Sequence, residues 1–200
     1  MSDHFYVIID FECTCWEDRS HAANEIIEFP AIVMNSRTLQ VEYEFHRYVQ
    51  PTENPILSDF CIDLTGISQY DVDSADTLDI VLDDFDDFLT SNNIIKFTMC
   101  TDGPWDFQKF LYPETKRKYI DYPDWAHTWI DIRRRFQRSY GLEKWQNVDR
   151  MLTILGMVFQ GRPHSGIDDA RNIARITKAI HQRDIVGGKM RPNRSIRDRY

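Results

Sequence analysis

Asp10 and Glu12 stand two residues apart at the end of the apolar, β-branched run Val7-Ile8-Ile9. The run reads as a buried strand, and side chains at i and i+2 of a strand share a face, so the two acids converge on one spot. Like charges placed so repel each other and lose hydration, a penalty that a hard divalent cation bound through oxygen removes. Taken alone, the pair fits a strand end with two solvated acids equally well. Two other junctions shift the weighing. The turn Thr101-Asp102-Gly103-Pro104-Trp105-Asp106 follows a second apolar run, and His164-Ser165-Gly166-Ile167-Asp168-Asp169 leads into a helical pattern. A strand pair of acids, an acid at a helix start, and a histidine five residues before another acid make the inventory of a metal-dependent hydrolase. Three or four carboxylates can hold two divalent ions about 3.5–4 Å apart, clamping the attacking and leaving oxygens of a phosphodiester. A loop histidine suits the general base, because imidazole titrates near neutral pH.

The elements that must position these groups are legible in outline. Strands are expected at about Phe5–Phe11, Ile26–Met34, Leu39–Val49, Ile94–Thr101 and Trp129–Ile132. The turn-like Asn35-Ser36-Arg37-Thr38 makes the second and third an antiparallel hairpin. Helices are expected over Ser58–Leu64, from the N-cap Thr77 to Leu89, after Pro104, in the Arg-rich stretch following Ile132, over Val148–Leu155, and from Gly166 onward. A hairpin followed by alternating helices and strands predicts an α/β fold, a mixed sheet with helices on both faces. In such sheets function collects where strand ends meet helix N-termini.

Composition bounds the class. Two hundred residues with ordinary apolar content suit one domain with a sizeable core, and no apolar run is long enough to span a bilayer. No secretory signal pattern precedes the first strand, so a cytoplasmic or nuclear setting is the expectation, with Cys13, Cys15, Cys61 and Cys100 reduced. Residues 1–100 hold 20 Asp and Glu against 4 Lys and Arg, whereas residues 101–200 hold 12 against 20. An acidic half repels phosphate, so a nucleic acid would bind locally and with metal help. The basic clusters that could assist are Arg133-Arg134-Arg135 with Arg138, and the tail from Lys189 to Arg199. The chain thus divides into a domain over 1–186 and a basic tail over 187–200.

The motifs together resemble the DEDDh 3′–5′ exonucleases, whose base lies in a His-x4-Asp element as His164 and Asp169 do. Asp10-Phe11-Glu12-Cys13-Thr14-Cys15 matches the opening motif. Ser58-Asp59-Phe60-Cys61 with Leu64-Thr65-Gly66-Ile67, the 101–106 turn, and Gly161-Arg162-Pro163-His164-Ser165-Gly166 are similar to the Eri-type exoribonucleases. The likeness spans nearly all of residues 5–183, with Cys13 standing where alanine is common. It implies an RNase H-like, five-stranded mixed sheet flanked by helices. It implies a two-metal exoribonuclease using two Mg2+, with Mn2+ able to substitute, that releases nucleoside 5′-monophosphates from single-stranded RNA 3′ ends. Small RNAs, histone mRNA and ribosomal RNA are the substrate classes it suggests. Asp10, Glu12, Asp106 and Asp169 would bind metal, His164 would be the base, and Phe60, Leu64 and Trp105 would line the nucleotide pocket alongside His164. Asp102 competes with Asp106 from the strand end. The aromatic-acid pair Trp105-Asp106 before Phe110-Leu111 favours Asp106, leaving Asp102 to cap the next helix. Two other readings stay open: DNA or a dual substrate, since stacking and phosphate contacts tolerate both, and a non-catalytic RNA-binding relative, against which all five positions are filled.

Overall fold

The computed structural model describes residues 3–18 and 23–185, and the tail expected at 187–200 lies outside them. Both β1 (Phe5–Ile9) and β2 (Glu12–Cys13) run antiparallel to β3 (Ile26–Asn35), which pairs on its other edge with β4 (Val41–Tyr48). On the far side β1 is parallel to β5 (Phe97–Thr101), and β5 is parallel to β6 (Trp129–Asp131). Among the described residues the mixed sheet thus has six strands where five were expected. Its first row is interrupted: Ile9 faces Ala31 and Glu12 faces Glu28, so one register continues across the break at Asp10-Phe11.

Every residue of β1 is buried, because helices cover both faces, and the alternation sorts its side chains. Phe5, Val7 and Ile9 pack into one core with Phe29, Phe45 and helix α3 (Leu78–Ser91), while Tyr6 and Ile8 pack on the other side with α7 (Gly166–Ile185). Asp10 and Glu12 continue the row of Tyr6 and Ile8, which aims both at the α7 layer. The remaining elements are α1 (Asp59–Thr65), α2 (Gln69–Asp73), a π-helical turn at Asp106–Leu111, α4 (Tyr112–Lys118), a 3-10 turn at Asp124–His127, α5 (Ile132–Tyr140) and α6 (Val148–Ile154). Ser58 caps α1 by accepting from the Cys61 amide, and Gly66 ends it at φ 77°. Among the described residues no helix is long and apolar enough to cross a membrane.

The expectation that Pro104 opens an ordinary helix is corrected by the π turn. There the Tyr112 amide bonds the Phe107 carbonyl, five residues back. This register buries Phe107 and Leu111 while the Asp106 carboxylate reaches across to the Phe11 amide in the break after β1.

Candidate active site

The C-terminal ends of the parallel strands β1, β5 and β6 open at one edge of the sheet, where ligands of such sheets bind. Here Asp10, Glu12 and Asp169 each present a carboxylate oxygen within 4.8 Å of the others. They line a cavity of about 390 Å³ together with Asp106, Trp105 and His164. Asp106 enters it from the π turn at 3% exposure, with Oδ1 accepting the Phe11 amide at 2.9 Å. The break in the first strand has its reason in that bond: the Phe11 N–H serves Asp106.

Asp169 arrives on α7, and the start of that helix is fixed by Glu28. The Glu28 carboxylate, buried beneath the sheet edge, accepts the amides of Gly166 (2.9 Å) and Ile167 (3.1 Å) and is held by His46 Nε2 at 2.8 Å. A carboxylate suits the two free N–H groups and the positive end of the dipole. Gly166 is required by space, since a Cβ there would lie 2.6 Å from the Asp10 carbonyl oxygen. His164, exposed on the preceding loop, adopts a left-handed backbone at φ 61°. Such a conformation costs a non-glycine residue on the order of 1–3 kcal/mol. It is held by its own N–H, which donates to Asp169 Oδ2 at 2.8 Å. Asp168 faces elsewhere: it accepts the Arg162 amide at 2.9 Å and pairs with Arg171 at 3.1 Å.

Burial pushes the Asp10 carboxyl far above the usual aspartate range, and the charges of Asp106, Asp169 and Glu12 add to it. Burial first, then Glu28, raises Glu12 to about 9. Asp106 and Asp169 are each pushed by burial to about 7, against the pull of the Phe11 and His164 amides. Among the described residues no Lys or Arg forms an ion pair with any of the four. An all-oxygen set with this unrelieved repulsion fits hard divalent cations. A bound cation would reverse the shifts and hold the acids ionised.

The acid rivalry at the middle motif has a clear geometric outcome. Asp102 does not cap the next helix, as expected from its turn; it is clamped by Arg133, whose Nε and Nη2 donate to its two oxygens at 2.8 and 2.5 Å. The basic triplet is therefore no free patch, since Arg134 pairs with Asp131 and Arg135 with Asp184. Trp105 stands at the cavity lip, 49% exposed. Phe60 and Leu64 are not brought into the cavity lining. They sit on α1, which is tied to the site by Ser58 Oγ donating to the Cys15 carbonyl and by Arg162 donating to the Asp63 carbonyl. Phe60 is 39% exposed, so core packing does not account for it. Sequence reasoning missed Glu28, although a lone acid inside the buried run Ile26–Met34 was a signal for it. It also missed Phe110, Asn147, Asp149 and Phe159 as cavity walls, for which the sequence carries no local mark.

This sheet, with acids at its parallel strand ends and a histidine loop before α7, defines a nuclease-like class of hydrolase fold. The chain belongs to the exonuclease (RNase_T) family, whose model matches residues 7–177. It is 43% identical over 189 residues to the human "3'-5' exoribonuclease 1", a match covering 90% of this chain and 54% of the relative. The chain thus spans about half the length of that relative. Among solved structures, the nuclease domain of 3'hExo, described as a DEDDh family member and bound to rAMP, superposes with a TM-score of 0.91 at 40% identity. That match covers 97% of this chain and 98% of the domain. A structure of a 3'-exonuclease recognising the 3' end of the histone mRNA stem-loop gives the same TM-score and identity, covering 97% of this chain and 68% of that one.

Proposed function

We propose that this chain is a 3′–5′ exoribonuclease that removes nucleoside 5′-monophosphates from single-stranded RNA 3′ ends. The observation that carries the reading is the convergence of Asp10, Glu12 and Asp169 within 4.8 Å in a cavity also lined by Asp106 and His164. The relatives named as 3′–5′ exoribonucleases supply the bond type and direction. The terminal phosphodiester would sit against the acids, with its base at Trp105 on the lip and its sugar side toward Phe60 and Leu64 on α1. Two Mg2+, or Mn2+ in their place, held by Asp10, Glu12, Asp106 and Asp169, would supply neutralisation of the phosphate charge and activation of water. His164 would take the proton of the attacking water as its oxygen bonds phosphorus, while the bond from phosphorus to the 3′ oxygen of the preceding nucleotide breaks and that oxygen leaves as the new 3′-hydroxyl with a proton from solvent. Its exposed loop allows imidazole to reach the water, while the bond from its amide to Asp169 ties base and acid in one unit. The histone-mRNA, ribosomal and small-RNA classes remain within this reading, and the solved relative with a histone mRNA stem-loop supports the first of them.

The test is a timed digest of matched 5′-labelled RNA and DNA oligomers with Mg2+, with Mn2+ and with EDTA. A ladder shortening from the 3′ end of RNA, with 5′-monophosphates released and no cleavage in EDTA, is expected. Cleavage undiminished by excess EDTA, or fragments from internal cuts, would defeat the proposal. Faster DNA digestion would replace the substrate class but keep the chemistry.

A further inference from the structure

Six carboxylates line the cavity, from Asp10, Glu12, Asp102, Asp106, Asp149 and Asp169, while Arg133 is the one permanent cation among the described lining residues. A strand of RNA brings one phosphate per linkage to this wall. The scissile phosphate has the metal-binding acids for its neutralisation, but the next phosphate along the strand meets like charge unless a donor faces it.

Arg133 is built for that donor role. Its Nε and Nη2 are engaged by Asp102, which lies on the turn after β5, and its guanidinium carbon sits 5.0 Å from the centroid of the Trp145 ring. The side chain is 22% exposed, so the fork is fixed yet open to the cavity. Nη1 has no hydrogen-bond acceptor among the described residues. Asp102 raises the affinity of the guanidinium for its proton further, so the charge is permanent. An arginine held by a carboxylate on one edge and an indole on its face has lost its rotamer freedom before binding, which lowers the cost of meeting a phosphate.

We infer that Arg133 binds the backbone phosphate one linkage to the 5′ side of the scissile bond, with Asp102 and Trp145 as its positioning residues. The inference rests on the exoribonuclease reading. It gives Asp102 a role distinct from metal binding, and it gives the acidic cavity a means of gripping a strand beyond its last nucleotide.

The experiment compares two RNA trimers, one natural and one carrying a neutral methylphosphonate at the linkage 5′ to the scissile bond. In the wild-type protein the neutral linkage is expected to raise KM about tenfold or more, the scale of a lost charged hydrogen bond. Arg133→Gln should raise KM for the natural trimer by a similar factor and show no further penalty for the methylphosphonate. Because that variant strands a buried Asp102, the double variant Arg133→Gln with Asp102→Asn is measured beside it and should behave alike. Arg37→Gln, on the turn at the opposite end of the sheet, serves as the charge control and should keep the full wild-type penalty. A methylphosphonate penalty that persists in the single and double Arg133 variants would overturn the inference while leaving the nuclease intact. A wild-type protein that cleaves neither trimer would remove the exoribonuclease reading, and the inference with it.

Discussion

Among the described residues two clusters of carboxylates, one fully buried and one largely half-buried, are closed in opposite ways. Glu25 and Glu114 are fully buried, and Lys118 Nζ stands 2.7 Å from an oxygen of each. The Glu25 carboxylate also accepts the amides of Thr52, Glu53 and Asn54, and Glu114 accepts that of Ile26. Burial pushes Glu25 upward, but these amides and Lys118 outweigh it and leave the group below its ordinary range, whereas burial keeps Glu114 raised against the pull of Lys118 and the Ile26 amide. The second cluster, Asp10, Glu12, Asp106 and Asp169, receives amides at Asp106 and Asp169 and no ion-paired cation among the described residues. All four of its acids are raised by burial. The protein neutralises the first cluster itself and so pins the 52–54 loop to β3 and α4. It leaves the second for a cation from outside, and chemistry becomes possible there.

The contrast breaks most visibly at the middle motif. Asp106→Asn should abolish turnover with folding stability kept or raised, since it relieves repulsion. Asp102→Asn should keep kcat while lowering the unfolding temperature and raising KM, because it loosens the Arg133 clamp. A dead, well-folded Asp102 variant beside an active Asp106 variant would reverse the assignment. Next in size, His164→Ala should lose about 10²–10⁴-fold in kcat, the usual worth of a general base. Its thermal unfolding should match wild type, and the acidic limb of the pH–rate profile should change. An unchanged limb would point to another base. In the structural cluster, Lys118→Met should cost about 3–5 kcal/mol of stability in denaturant unfolding, because it strands two buried glutamates. The kcat per folded molecule should hold; a selective loss of kcat would erase the distinction between the clusters. The smallest effect sharpens the helix start. Asp168→Asn should stay within a few-fold of wild-type activity, whereas Asp169→Asn should be inactive, and equal losses would leave the choice between them without support.

What the sequence made legible follows from what is local. Asp10 and Glu12 are two residues apart and His164 and Asp169 five, so each pair is brought together by a few neighbouring residues of the chain. The helix stripe of α3 and the Asn35–Thr38 turn are local in the same sense. The break at Asp10-Phe11 was not legible, because it depends on a bond to Asp106, 95 residues away. The arginine triplet looked like a nucleic-acid patch in sequence, and only the fold shows Asp102, Asp131 and Asp184 arriving to pair with it. Glu28 was hidden for the matching reason: its partners at Gly166 and Ile167 are 138 and 139 residues away.

The central claim, that the Asp10 cluster is left for external divalent cations, is tested most directly by thermal unfolding across pH, with and without metal. Glu12 is raised from an ordinary 4.5 to about 9 in the folded, metal-free protein. Between those values the folded state holds a proton that the unfolded chain has released. Stability of the EDTA-treated protein from this group should therefore fall as pH rises through that window and be unpenalised below it. Mg2+ or Mn2+ should raise the unfolding temperature, more at pH 8.5 than at pH 5.5, by binding the ionised folded form. Asp10→Asn should be more stable than wild type in EDTA and gain little from metal. A wild-type protein whose unfolding temperature ignores both metals, or an Asp10→Asn variant that gains as much as wild type, would contradict the account.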